Sequence, residues 1–161
     1  MQKKLFSVAN LVGQTLIAKN FKIVTAESCT GGGLAYWLTA ISGSSAWFDR
    51  GVVTYQDSAK EELLHISASD IKQFGAVSKT VASQMAQQAL TLSHAQIAIA
   101  TTGIAGPTGG TPDKPVGLVW IAWITPTQSL TQDFLFIGDR QAVREQTILQ
   151  AFEGLLKLLN H

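Results

Sequence analysis

Two hydrophobic periods alternate along this chain, and that alternation limits its fold more than any other feature. Leu5, Val8, Leu11, Val12, Leu16 and Ile17 recur at helical spacing, which predicts an amphipathic helix over Leu5 to Ala18. Ile23 to Ala26 is a short β-prone run, closed by a polar, glycine-rich turn from Glu27 to Gly33. A helix over Leu34 to Ile41 and a strand over Trp47 to Tyr55 follow. The next helix begins near Asp57, with Asp57 or Ser58 as its cap. Ser69-Asp70 reads as the start of a short helix, and Ser78 as the cap of a longer one through Leu92. Gln96 to Thr102 has the pattern of a buried strand, and Gly103 to Val116 that of a loop. Gly117 to Ile124 and Asp133 to Ile137 read as strands joined by a hairpin connection, Thr125 to Leu130. A last helix, Arg140 to Leu159, is capped by Asp139. Helices alternating with strands predict the α/β class, as a three-layer α/β/α sandwich around one sheet. No helix separates the last two strands, so an antiparallel edge and a mixed sheet are expected.

At 161 residues the chain has the length of one domain, read as 1–161, and can bury a core without disulfide or metal staples. Lys plus Arg number 12 against 11 for Asp plus Glu, so the basic excess of a nucleic-acid-binding surface is missing. Cys29 is the sole cysteine, which fits a reducing compartment. The first residues, Met1 to Leu5, superficially resemble a signal peptide, but Asn10, Gly13 and Gln14 interrupt the apolar stretch. Leu118 to Ile124, the longest apolar segment, falls far short of the roughly 20 residues that span a bilayer. These features predict a cytoplasmic protein with no membrane or nucleic-acid partner.

The turn Glu27-Ser28-Cys29-Thr30-Gly31-Gly32-Gly33 lies between a strand and a helix. Ligands of open α/β sheets bind at the carboxyl ends of strands. A hydroxyl there lies near unpaired helix N–H groups that stabilise an oxyanion or bind an anion, and the glycines admit close backbone approach. Ser28 is therefore either a nucleophile or, with Thr30, a helix cap. Cys29 is a rival nucleophile, although no basic neighbour in sequence activates it. Glu27 either positions a ligand or orients the turn. A serine nucleophile needs a base. His65 reads as a helix-face residue, His94 as a helix-end residue, and His161 ends the chain, so a Ser-His-Asp triad is disfavoured. Lysine is the other base that activates serine when burial lowers its proton affinity. Lys60 is the candidate, against the alternative of a solvated helix residue.

These residues also carry a family resemblance. Ala26-Glu27-Ser28-Cys29-Thr30-Gly31-Gly32, Gly43-Ser44-Ser45, Gly51-Val52-Val53-Thr54-Tyr55 and Ala59-Lys60 form its first half. Gly75-Ala76-Val77-Ser78, Thr102-Gly103-Ile104-Ala105-Gly106-Pro107, Lys114-Pro115-Val116-Gly117, Gly138-Asp139-Arg140 and Val143-Arg144 form its second. In this order they resemble the CinA carboxy-terminal-domain family, whose enzymatic members are nicotinamide-mononucleotide deamidases. The resemblance implies a stand-alone form of that family, acting without a cofactor or metal as an amidohydrolase in pyridine nucleotide recycling. It implies Ser28 as nucleophile, Lys60 as its base and Tyr55 assisting, with the turn's backbone N–H groups stabilising the oxyanion. It also implies contact of the nucleotide with Glu27, Cys29, Thr30, Gly31, Gly32, Thr102 and Gly103, and a homo-oligomer, as a dimer. Family members commonly carry Asn two residues after the Tyr, where this chain has Asp57; a carboxylate meeting Lys60 there raises its proton affinity.

The loop Gly103-Ile104-Ala105-Gly106-Pro107-Thr108-Gly109-Gly110-Thr111 is neither a Walker A motif nor a Gly-x-Gly-x-x-Gly fingerprint. It suits close contact with a nucleotide, a movable lid or a plain crossover. Arg140 and Arg144, four apart on the last helix, share a face that either holds a ribose phosphate or makes surface or oligomer contacts. Trp120 and Trp123, three apart on a strand, face opposite sides, so at most one could stack on a pyridine ring, and both are read as packing residues. Two other functions remain open: a catalytically silent nucleotide-binding or regulatory relative, and an amidase of another small carboxamide.

Overall fold

The computed structural model describes residues 1–160, and His161 lies outside the described residues. In chain order the elements are α1 (Gln2–Lys19), β1 (Ile23–Glu27), α2 (Gly33–Thr39), a 3-10 turn (Ser44–Ala46), β2 (Phe48–Val53), α3 (Asp57–Leu64), α4 (Ala68–Phe74), α5 (Lys79–Thr91), β3 (Ile97–Gly103), β4 (Leu118–Ile124), β5 (Ser129–Leu135) and α6 (Arg140–Leu159). The five strands form one sheet in the order β2-β1-β3-β4-β5. β1 pairs in parallel with β2 and β3, while β4 and β5 add on antiparallel, which gives the expected mixed sheet.

The period-2 alternation of the central strands divides the core. Ile23, Ile97 and Ile99 project into a cluster with Leu5, Leu16, Leu34, Phe152 and Leu155 of α1, α2 and α6. Val24, Ala26, Ala98 and Ala100 project the other way, onto Leu64, Ile71, Met85 and Ala86 of α3, α4 and α5. Alanines on that face leave little bulk between strand and helix, so α5 packs closely over the middle of the sheet. Helices thus cover both faces, as the three-layer prediction requires. Trp123 joins the first cluster and Trp120 the second, so the two do face opposite sides.

Several boundaries differ from expectation. β5 begins at Ser129 rather than Asp133, because an edge strand exposed on both sides carries no apolar alternation that could mark its start. Its connection to β4 is correspondingly shorter, closed by a bond from the Thr125 amide to the Gln128 carbonyl at 2.9 Å. Gln56, not Asp57 or Ser58, occupies the cap position of α3. The short fourth helix starts earlier than predicted, with Ser67 accepting from the Asp70 amide at 3.1 Å. Ser78 and Asp139 do cap α5 and α6 through the amides of Val81 and Ala142.

The topology determines where a ligand can sit. After β1 the chain places β2 on one side and later β3 on the other, so the strand order reverses between β1 and β3. In open α/β sheets the crevice at such a reversal, beyond the carboxyl ends of the strands, receives the ligand. Ser28 follows β1 directly, and Thr102 and Gly103 end β3.

Candidate active site

The turn after β1 is built from a buried polar cluster. Thr25, Glu27 and Thr101 lie on the same sheet face, and all are fully buried together with Thr30. One Glu27 carboxylate oxygen accepts from Thr30 Oγ1 at 2.7 Å and the Leu34 amide at 2.9 Å; the other accepts from the Ala35 amide at 2.9 Å and Thr25 Oγ1 at 3.3 Å. A second hydroxyl contact joins Thr30 to Thr101 at 2.8 Å. Four donors therefore converge on a carboxylate inside the fold, which offsets the desolvation of its charge. Glu27 caps α2 from the end of the preceding strand. The residue at the cap position itself is Gly32, in a left-handed conformation (φ 91°) with no side chain to offer.

This arrangement settles what the spacing left open. Neither Ser28 nor Thr30 caps α2 through its hydroxyl, and Glu27, buried beneath the turn, holds it through its four bonds. Ser28 Oγ turns to the other side of the sheet plane, where Lys60 Nζ lies 3.2 Å away. Lys60 is 1% exposed, so it is not a solvated helix residue. Its nitrogen also donates to the Thr54 carbonyl at 2.9 Å and the Tyr55 carbonyl at 3.4 Å. Burial is the largest influence on Lys60 and lowers its pKa, with Asp57 and Cys29 pulling the other way. Asp57 Oδ1 is 3.9 Å from Nζ, so the two do meet. Burial pushes the neighbouring Cys29 thiol up to about 12, so at neutral pH it is protonated.

Ser28, Cys29 and Lys60 border a cavity of about 270 Å³ that Tyr55, Thr102, Gly103, Thr108 and Arg140 also line. Arg140 bridges its mouth, donating to the Gly106 carbonyl and to the Tyr55 hydroxyl, each at 2.8 Å. The phenol oxygen thus accepts from the guanidinium, leaving its own proton available towards the cavity. Thr102 lines the cavity, but its hydroxyl donates to the Ala76 carbonyl at 2.8 Å.

Other expected contacts separate. Arg144, one turn beyond Arg140, donates to the Thr30 carbonyl at 3.0 Å and borders a different cavity, with Gly31, Gly32, Tyr36 and Trp37. Arg140 and Arg144 therefore stand on opposite sides of the turn after β1. Within the turn, the Ser28 amide is bonded to the Thr101 carbonyl and the Gly31 amide to the Ser28 carbonyl. Cys29, the next residue of the turn, lines the cavity beside Ser28. His65 is exposed at the end of α3 and His94 lies beside Asp49, both away from this cavity. Among the described residues no three His, Cys, Asp or Glu side chains group as metal ligands, and no helix is long and apolar enough to cross a membrane.

Sequence reading missed two contributors. The wall formed by Ala76 and Val77 comes from the α4–α5 junction, and the carbonyls that hold Lys60 come from Thr54 and Tyr55. Backbone groups have no side-chain signature, and only the Gly75-Ala76-Val77-Ser78 motif hinted at the first.

Comparison with known proteins gives a consistent result. The CinA C-terminal domain family matches residues 5–159. The nicotinamide-nucleotide amidohydrolase PncC of Pseudomonas putida is 45% identical over 152 residues, covering 94% of this chain and 95% of the relative. The protein of the same name from Escherichia coli K12 is 44% identical over 153 residues, covering 94% and 93%. The crystal structure of the competence/damage inducible protein CihA from Agrobacterium tumefaciens superposes with a TM-score of 0.94 at 41% identity, covering 98% of this chain and 96% of that one.

Proposed function

This chain belongs to the CinA C-terminal domain family, and from that premise we propose that it hydrolyses the carboxamide of nicotinamide mononucleotide to nicotinic acid mononucleotide and ammonia by a Ser28–Lys60 mechanism. The activity named for the two PncC relatives supports the substrate. The observation that carries the mechanism is the contact between Lys60 Nζ and Ser28 Oγ.

A neutral amine has two N–H donors and one lone pair. With its donors directed to the Thr54 and Tyr55 carbonyls, the lone pair of Lys60 is left for the Ser28 hydroxyl. Ser28 Oγ attacks the carboxamide carbon as its proton passes to Lys60. The Cys29 amide, with the Tyr55 hydroxyl as a second donor, stabilises the tetrahedral oxyanion. Protonated Lys60 then donates to the departing nitrogen, and ammonia leaves. Water adds to the acyl-enzyme with Lys60 again as base, and the returned proton restores Ser28. Arg140 has donors beyond the two it uses internally, and it is the cation at the cavity mouth to which the ribose phosphate would bind. A cavity of about 270 Å³ suits a mononucleotide better than a dinucleotide.

Under the same reading residues 1–161 act as one amidohydrolase domain in pyridine nucleotide recycling, as a cytoplasmic homodimer; light scattering of the purified protein tests the dimer. The deciding experiment for the reaction is incubation with nicotinamide mononucleotide, without added metal, while ammonia and nicotinic acid mononucleotide are followed. Absence of turnover by the intact protein overturns the reading.

A further inference from the structure

When Lys60 takes the proton of Ser28 it becomes a cation inside the protein, 1% exposed. Its three nearest acceptors are uncharged: the Thr54 carbonyl, the Tyr55 carbonyl and Ser28 Oγ. Acylation weakens the third, because an ester oxygen is a poorer acceptor than a hydroxyl. A buried ammonium in that position is stabilised by an anion nearby.

The charged and titratable groups around Lys60 offer one. On α3 itself Glu61, Glu62 and His65 are exposed. From the turn after β1 comes Cys29, protonated at neutral pH with its thiol pushed up to about 12. The α6 cation Arg140 is engaged with Gly106 and Tyr55. On the packed helices α4 and α5, Asp70 accepts from Gln84, and Lys79 is exposed at the start of α5. The Glu27 carboxylate at the end of β1 is taken up by Thr25, Thr30, Leu34 and Ala35. Among the described residues Asp57 alone brings a carboxylate to Lys60, with Oδ1 at 3.9 Å from Nζ, and it also lines the cavity. It is the first residue of α3, with a side chain 60% exposed, and the helix N-terminus there favours a negative charge.

We propose that Asp57 is a positioning residue for this reaction, the counter-ion of the Lys60 ammonium that forms each time Ser28 gives up its proton. The proposal rests on the Ser28–Lys60 reading above. Asp57 itself takes no proton. In acylation the Ser28 O–H bond breaks, its proton goes to the Lys60 lone pair, and Oγ bonds to the carboxamide carbon. Lys60 then passes that proton to the nitrogen as the C–N bond breaks. Asp57 holds the ammonium between those two transfers and again during deacylation. The same charge favours protonated Lys60 in the resting site, so it sets the pH above which the free amine is available.

The test compares the unaltered protein with Asp57→Asn and Asp57→Glu in two assays across pH. One is hydrolysis of nicotinamide mononucleotide; the other is sulfonylation of Ser28 by phenylmethylsulfonyl fluoride, which needs the dyad but not the nucleotide. Asp57→Asn is expected to move the acid limb of both profiles to lower pH by about half a unit. Plateau kcat should fall by no more than about twofold with little change in KM, and Asp57→Glu should restore the limb towards its original position. A merely structural role would not move the limb. Superimposable acid limbs in the Asn variant and the unaltered protein overturn the proposal, even where the nucleotide is hydrolysed. A shifted limb in sulfonylation without nucleotide hydrolysis sustains Asp57 while overturning the substrate.

Discussion

Lys60 Nζ lies 3.2 Å from Ser28 Oγ, although 32 positions separate the two in sequence. Strand pairing brings them together: Ser28 follows β1, Lys60 sits one turn into the helix after β2, and β1 and β2 run side by side in parallel. Ser28→Ala and Lys60→Ala are each expected to lower ammonia release from nicotinamide mononucleotide by about 10³-fold or more, and the double variant little further, because the two act as a unit. A double variant much slower than either single one would show that they act separately.

Cys29 tests the same assignment from the other side. It lines the cavity next to Ser28, but a thiol pushed up to about 12 carries almost no thiolate at neutral pH. Cys29→Ala should retain turnover within about threefold. Loss of activity in that variant, with activity kept in Ser28→Ala, would move the nucleophile to Cys29.

Glu27→Gln should destabilise the fold. The amide NH₂ would replace one of the two oxygens and face that oxygen's pair of donors, either the Leu34 amide with the Thr30 hydroxyl or the Ala35 amide with the Thr25 hydroxyl. Loss of charge-assisted bonds in a buried site costs about 2 kcal/mol or more. The expected outcome is a lower urea midpoint with an unchanged denaturant slope. An unchanged midpoint would show that the cluster does not hold α2.

What the chain discloses in advance follows from where its information lies. The alternation of Ile97 and Ile99 with Ala98 and Ala100 carries the sheet and both core layers, because burial on two faces writes itself into residue size. The start of β5 was not legible, since Ser129, Thr131 and Gln132 look like loop residues and form a strand only by pairing with β4. Ser28 was recognisable on its turn, whereas Glu27 was ambiguous: the amides it accepts from lie seven and eight residues on, beyond the short local capping patterns. Helical spacing put Arg140 and Arg144 on one face correctly, but it could not reveal that the turn passes between their head groups.

That separation predicts different consequences for the two arginines. Arg140→Ala should raise KM for nicotinamide mononucleotide about tenfold, because it removes the cation and the bridge between Gly106 and Tyr55 at the cavity mouth. Arg140→Lys should recover only part of this, as one ammonium cannot reproduce the fork. Arg144→Ala, which loses a bond to the Thr30 carbonyl on the far side, should change KM by less than about twofold and act mainly on stability. A larger KM effect at Arg144 than at Arg140 would place the phosphate on the other side of the turn.

Lys60 also leaves a signature in stability against pH. Burial lowers its pKa in the folded protein below the ordinary lysine value of 10.5, which the unfolded chain retains. Between those two values the unfolded state binds the proton and the folded state does not, so stability rises with pH across that window. Below the lowered value Lys60 is charged in both states, and the full penalty of burying the ammonium weighs on the fold. Lys60→Met keeps a long unbranched side chain and has no charge to bury. It should therefore be more stable than the unaltered protein, by the widest margin at low pH, with the margin shrinking as pH rises towards 10.5. Urea denaturation of both proteins at several pH values measures that margin, and one that grew with pH would mean that the folded site binds the proton more tightly than the unfolded chain does.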